Sequence, residues 1–208
     1  MSTIITKYFK NIDKAKLNKL NALKDIYESL NAKVNLISRK DINNLYEHHI
    51  LHSLAIAKII SFEANQEVLD VGSGGGFPGI PLAILFPDTK FLLVDSKGKK
   101  TAAIKQVASS LNLKNVAVEQ ARAEDLRVKV DWAVCRAVGR LDEVWPWVVD
   151  KIKHKSDLKF PNGLIYLKGD NYSSEVPAGV TIKEWPLRQL FPGLTYYEHK
   201  SVLLLYRR

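Results

Sequence analysis

Residues 68–83, VLDVGSGGGFPGIPLA, gather a carboxylate and five glycines into one short stretch. An apolar run containing Asp70 breaks at Gly72, Gly74, Gly75, Gly76 and Gly79 and then turns helical. Without side chains at such a turn, backbone N–H groups can approach a ligand closely. Pro81 falls in the expected first turn of the helix, where its missing N–H has no partner to lose. Gly74, Gly76 and Gly79 also satisfy the spacing of a dinucleotide fingerprint, which alone is a weak signal. A second apolar run, FLLVD, closes on Asp95, an acid suited to the two hydroxyls of a ribose. The pair of features implies a ligand carrying an adenosine-like ribose.

Two ligands fit that description, a dinucleotide and S-adenosyl-L-methionine. A pyrophosphate needs an electropositive helix N-terminus, and an acid beside the loop works against it. Asp70 immediately before the glycines instead suits the cationic ammonium of a methionine moiety. Ala123-Glu124-Asp125 follows a third strand-like run and can edge an adenine, or Glu124 and Asp125 can cap a helix. Asp70, Gly72, Gly74, Gly76, Asp95 and Glu124 lie at successive strand ends, the side on which open α/β sheets bind ligands. This favours S-adenosyl-L-methionine. A nicotinamide-dependent oxidoreductase and a non-catalytic RNA-binding protein with a vestigial pocket stand as the rivals. His49, on a predicted second helix, can stack or hydrogen-bond near the pocket, or cap its helix. Lys168, ending the run LIYLK, can reach a phosphate or stay solvated. No His/Cys/Asp spacing suggests a metal.

The elements that must hold these residues follow from periodicity. Residues 7–32 carry Leu17, Leu20, Leu23, Ile26, Tyr27 and Leu30 at helical spacing, and 31–40 is a break. Asp41 or Asn43 is placed to cap a second helix running through Leu45, His49, Leu51, Leu54 and Ile60. From Glu67 the pattern alternates: strands at 68–71, 91–95, 116–119 and 132–135, helices at 81–85, 99–111 and 143–152. Such alternation implies a parallel sheet wrapped by helices. After the turn at Pro161-Asn162-Gly163 comes a strand at 164–169. Two late runs, 179–185 and 200–206, then suggest an antiparallel pair, the ending of a seven-stranded methyltransferase fold. The expected organisation is a basic helical extension at 1–60 and a cofactor-binding domain at 61–208.

Length and composition bound the rest. The 208 residues are 46% hydrophobic and 25% charged, as in an ordinary globular chain. No stretch approaches the roughly 20 apolar residues of a membrane span, and the N-terminal residues lack the apolar core of a secretory signal. A single cysteine, Cys135, excludes an intrachain disulfide and fits a reducing cytoplasm. It sits in DWAVC and reads as core. The net charge of +9 is uneven: residues 1–60 hold 10 Lys/Arg against 5 Asp/Glu, 61–150 hold 11 against 12, and 151–208 hold 10 against 5. Both flanks of a neutral centre are therefore basic. A polyanion touching both would explain this, and so would plain solubility, since no tight Lys/Arg cluster appears. Flank lysines such as Lys10, Lys14, Lys33 and Lys155 are the ones whose neutralisation separates the two.

With these residues in view, the chain resembles the small-subunit ribosomal RNA methyltransferase G family, also called glucose-inhibited division protein B. The resemblance covers nearly the whole length through VNLISR (34–39), HHILHSL (48–54), DVGSGGGFPGIPLAI (70–84), LVDSKGKK (93–100), RAEDL (122–126), CRAVGRL (135–141) and LKG (167–169). It implies a Rossmann-like class I S-adenosyl-L-methionine-dependent methyltransferase, with a mostly parallel seven-stranded sheet and an N-terminal helical extension. By similarity, Gly72 and Phe77 line the cofactor pocket, Asp95 holds the ribose, and Ala123 and Glu124 flank the adenine. Arg136 matches the family's arginine beside cofactor and RNA. The implied reaction is methyl transfer to N7 of a guanine in bacterial 16S rRNA, free or in a small-subunit particle, by a cytoplasmic monomer. Two positions depart from the family: His52 stands where an Asp is usual, and Cys135 where a Ser or Thr often precedes the arginine.

Overall fold

Five apolar runs, each closed by a turn residue or a polar loop, become parallel strands, and the last two become an antiparallel pair. The computed structural model describes residues 3–154 and 160–207; Lys155 lies outside them. The strands are β1 (Glu67–Val71), β2 (Lys90–Asp95), β3 (Val116–Gln120), β4 (Trp132–Arg136), β5 (Leu164–Gly169), β6 (Val180–Pro186) and β7 (Lys200–Arg207). They form one sheet in the order β3-β2-β1-β4-β5-β7-β6, with β7 antiparallel to both neighbours. This is the Rossmann-like, seven-stranded arrangement expected of the sequence. Chain order reverses between β1 and β4, which leaves a crevice at their carboxyl ends.

Both faces of the central strands are covered, so successive residues alternate between two cores rather than between core and water. Val68, Trp132, Val134, Ile165 and Leu167 pack on one side; Leu69, Val71, Ala133, Cys135, Leu164 and Tyr166 pack on the other. The first side is covered by α1 (Thr3–Tyr8), α2 (Lys14–Asn31), the segment 42–58, α4 (Gly79–Leu85) and α5 (Gly98–Ser110). The segment 42–58 includes the short turn α3 (His52–Leu54). The second side is covered by α6 (Leu141–Val148), and α7 (Leu187–Leu190) packs near β6 and β7. Ile5, Leu20, Leu23 and Tyr27 from the N-terminal helices are fully buried in the same core as Ile80 and Leu82.

Three expected helices take different bounds. Residues 7–32 are not one helix, because the Asp13 side chain accepts from the Lys16 N–H at 2.8 Å and starts α2 afresh. Residues 42–58 do not run as one regular helix either. A 3₁₀ turn (Ile42–Asn44) leads into a π-helical turn (Leu45–Leu51), then α3, then a second 3₁₀ turn (Ile56–Lys58). Asp41 caps none of these by its side chain, since its carboxylate is taken by two histidines. α6 begins at Leu141 and stops at Val148 rather than spanning 143–152, and the Lys151 N–H closes a tight turn on the Val148 carbonyl.

Candidate functional site

β1 delivers the chain to the glycine turn, and three positive φ angles carry it round: +62° at Gly72, +59° at Gly74 and +91° at Gly76. L-residues are strained in that conformation and glycine is not. The Ser73 N–H is held by the Val94 carbonyl at 2.9 Å and the Gly74 N–H by Asp95 Oδ2 at 3.0 Å. Asp95 Oδ1 accepts the Lys97 N–H at 2.8 Å, so one carboxylate at the end of β2 fixes two loops. A Cβ on Gly74 would meet nothing nearer than 3.8 Å, whereas one on Gly72 would sit 2.6 Å from a methyl of Val138. A side chain at Gly74 would therefore make only ordinary contacts, whereas Gly72 is packed against the loop after β4.

Asp70, on β1 beneath the turn, is fully buried. Its Oδ2 accepts the Gly79 N–H at 2.8 Å, holding the start of α4, while Oδ1 has no partner. Burial pushes its pKa up to about 7, against the Gly79 N–H, the neighbouring Ser73 hydroxyl and the nearby Arg136, which pull it down. An orphaned carboxylate oxygen under a glycine turn calls for a cation or a donor. Ala123 is buried and Glu124 exposed in the 3₁₀ turn Ala123–Asp125, just beyond the β3 residue that pairs with Asp95. An adenosine-bearing ligand with a cationic amino-acid end fits this set of groups.

Arg136 ends β4, and its hydrogen-bond partners come from the N-terminal third of the chain. Its Nη1 donates to the His48 carbonyl at 3.0 Å and its Nη2 lies 3.0 Å from His49 Nδ1. Its guanidinium sits 5.1 Å over the Phe77 ring. Tyr27 stacks on Phe77, with centroids 5.0 Å apart, and donates its hydroxyl to the Gly75 carbonyl at 2.6 Å. Asp41 binds both histidines, His48 Nδ1 at 2.5 Å and His49 Nε2 at 2.6 Å. Burial, reinforced by Arg136, lowers the His49 pKa to about 4 despite Asp41. His48 stacks on Tyr196 at 3.7 Å, and the Lys200 ammonium lies 3.8 Å from the Tyr196 centroid.

Beside Arg136 a cavity of about 540 Å³ opens, bordered by His49, His52, Tyr166, Lys168, Tyr196 and Lys200 among others. Lys168 is not free in it: its ammonium pairs with Glu175 at 2.7 Å and donates to the Gly139 carbonyl at 3.2 Å. Burial raises the Glu175 pKa, but Lys168 and the Leu141 N–H outweigh it and leave the carboxyl below its usual range. His52 is buried, and desolvation, with Arg136 and Lys200 adding to it, holds the ring neutral. Cys135 is buried in the core. His48, Asp41, Tyr27 and Tyr196 thus join a centre that the sequence pattern traced through Arg136, His49, Phe77 and Lys168. The signal available was HHILHSL itself, with an acid seven and eight residues upstream of its histidine pair. Among the described residues no His/Cys/Asp/Glu cluster can hold a metal ion, and no helix is long and apolar enough to cross a membrane.

Comparison with known proteins matches residues 16–180 to the family model for rRNA small subunit methyltransferase G. The chain is 45% identical over 199 residues to "Ribosomal RNA small subunit methyltransferase G" of Flavobacterium psychrophilum, covering 96% of this chain and 95% of that protein. The protein of the same name from Bacteroides thetaiotaomicron is 51% identical over 172 residues, 83% of this chain and 84% of its own. Among solved structures, M. jannaschii TYW2 in complex with AdoMet superposes with a TM-score of 0.57 at 15% identity, over 78% of this chain and 77% of that one. An rRNA methylase from Streptococcus thermophilus superposes with a TM-score of 0.50 at 14% identity, over 76% and 94%. These two likenesses speak for the fold.

Proposed function

The chain belongs to the rRNA small subunit methyltransferase G family, and from that premise we propose that its S-adenosyl-L-methionine-dependent activity is methylation of N7 of a guanine in 16S rRNA. The observation that carries this reading is the crevice between β1 and β4, with the glycine turn and Asp95 on one side and Arg136 with its cavity on the other. S-adenosyl-L-methionine supplies an electrophilic methyl group when bound. Asp95 serves its ribose, Gly72, Gly74, Gly76 and Phe77 the wall around it, Ala123 and Glu124 the adenine, and Asp70 the cationic end.

Guanine N7 carries an in-plane lone pair and no proton, so no general base has to generate the nucleophile. The chain need only align the reacting atoms and exclude water, a contribution of up to ~7–11 kcal/mol in favourable cases. Positive charge develops on the base, so a cation facing N7 opposes the reaction. Arg136 therefore grips a phosphate, the O6 edge or a cofactor carboxylate rather than N7. The 540 Å³ cavity beside it accommodates a base turned out of the RNA. Lys168, tied to Glu175, shapes that cavity more than it binds phosphate. Nothing in the family match supports a nicotinamide-dependent oxidoreductase or a vestigial pocket.

The basic flanks suit an RNA-binding role, with free 16S rRNA or an assembling small-subunit particle as the substrate. The cytoplasm, where that RNA matures, is the place of action, and a monomer is the working unit. Mass-spectrometric mapping of 7-methylguanosine in rRNA from cells with and without the gene tests the reading. Loss of one such mark supports it, and an unchanged pattern overturns it.

A further inference from the structure

We infer that Asp41 and His49 are positioning residues that lock Arg136 into its working orientation, acting as a relay that fixes one tautomer of the imidazole. The inference rests on Arg136 being a functional group of the methyl-transfer centre.

The tautomer follows from the partners. A guanidinium offers only donors, so His49 Nδ1, 3.0 Å from Arg136 Nη2, has to present its lone pair. In a neutral ring the proton then sits on Nε2, which faces Asp41 Oδ2 at 2.6 Å. Asp41, an acceptor on both oxygens, also receives His48 Nδ1–H at 2.5 Å. It is held below the usual carboxylate range because, although burial works against ionisation, His49, Asn44 and His48 all donate to it. The π-helical turn 45–51 turns the adjacent His48 and His49 toward this one acid. Two N–H groups of Arg136 are engaged, one with the His48 carbonyl and one with His49. The remaining three make no bond among the described residues. The relay thus closes one side of the guanidinium and leaves the other for an acceptor on cofactor or RNA.

Asp41→Asn is the direct test. Oδ1 receives both the Asn44 amide and His48, so an asparagine keeps its oxygen on that side and turns its NH₂ to His49 Nε2, which drives the ring proton onto Nδ1, toward the guanidinium. Turnover should then fall about ten- to a hundredfold, the scale of a misplaced catalytic group, while the protein stays folded by circular dichroism. His49→Asn keeps an amide oxygen near the Nδ1 position, so it should retain more turnover than His49→Ala. Adding Asp41→Asn to His49→Asn should cost little more. Nitrogen-15 correlation spectra of the wild-type imidazoles should show His49 neutral with its proton on Nε2. A proton on Nδ1, equal losses in His49→Asn and His49→Ala, or an additive double variant would each overturn the relay. Arg136→Ala separates the two layers: if it leaves turnover intact, the reading of Arg136 itself fails. If it abolishes turnover while Asp41→Asn does not, only the relay fails.

Discussion

The Asp95 carboxylate accepts the Gly74 N–H at 3.0 Å, a bond that joins the end of β2 to the glycine turn across 21 residues of sequence. The other oxygen takes the Lys97 N–H, so the acid is oriented before any ribose arrives and little ordering is left for binding to impose. Asp95→Ala should weaken S-adenosyl-L-methionine roughly ten- to a hundredfold, since hydrogen bonds to a charged group contribute about 1.5–3 kcal/mol. Asp95→Asn should cost nearly as much, because its NH₂ must face one of the two backbone N–H groups. Calorimetric titration measures both, and wild-type affinity in either variant removes Asp95 from the site.

Gly72 and Gly74 share a left-handed backbone but not a neighbourhood. Gly74→Val should leave the chain folded, with the strain of about 1–2 kcal/mol that a left-handed L-residue carries, while abolishing cofactor binding. Gly72→Val meets the same strain and a Val138 methyl 2.6 Å from its Cβ, so it should lower Tm further. Thermal melts and cofactor titration on the two variants check the ordering. Normal binding by Gly74→Val would mean that the turn does not touch the ligand.

If Asp70 meets the cationic end of the cofactor, binding should depend on pH. Its folded pKa of about 7 lies above the ordinary carboxylate value. The stability this contributes is present at acid pH and is lost as pH rises through 7. His49 works the other way: its folded pKa of about 4 lies below the unfolded value, so its contribution is lost as pH falls through the window from 6.5 to 4. A cationic ligand end beside Asp70, with Arg136 and Asp95 as the other charges acting on it, should force the carboxyl to ionise. Cofactor binding at pH 6 should therefore release a proton, seen as a dependence of calorimetric enthalpy on the buffer's ionisation heat. The release should vanish at pH 8 and in Asp70→Asn; a persistent release in that variant would assign the proton elsewhere.

The alternating strands and the glycine turn were legible in the sequence because each rests on local chemistry: short apolar runs, glycines at positive φ, an acid closing β2. The order β3-β2-β1-β4-β5-β7-β6 was legible as a class because the last two runs show no crossover-length helix between them. The join holds only the four-residue α7 and a 3₁₀ turn, too short to register as periodicity. What lay outside its reach came from long-range contact. Tyr27 occupies a core position of an amphipathic stripe, yet its hydroxyl reaches Gly75, 48 residues away. Asp41 has the sequence look of a helix cap, and only the π-helical turn shows that its carboxylate serves His48 and His49 instead. Arg136 meets those histidines across 87 and 88 residues, a distance no spacing rule covers.

The uneven charge predicts that RNA and cofactor affinity can be changed separately. Lys10, Lys14 and Lys33 are exposed on the N-terminal segment, away from the glycine turn in sequence and unpaired with any acid among the described residues. Replacing these three by glutamine should lower RNA affinity. The salt dependence should flatten by roughly 0.7–0.9 of a logarithmic unit for each phosphate that is no longer neutralised. Cofactor affinity should not change, because the carboxylates and glycines that serve it belong to the neutral stretch 61–150. Arg136→Ala should show the opposite pattern, cutting turnover far more than RNA affinity, since it stands at the reacting end of β4. Filter binding across a salt series, with cofactor titration on the same preparations, measures both. A slope equal to wild type in the triple variant would mean that these lysines are only solvated, and that the RNA docks through the loops at the carboxyl ends of the sheet.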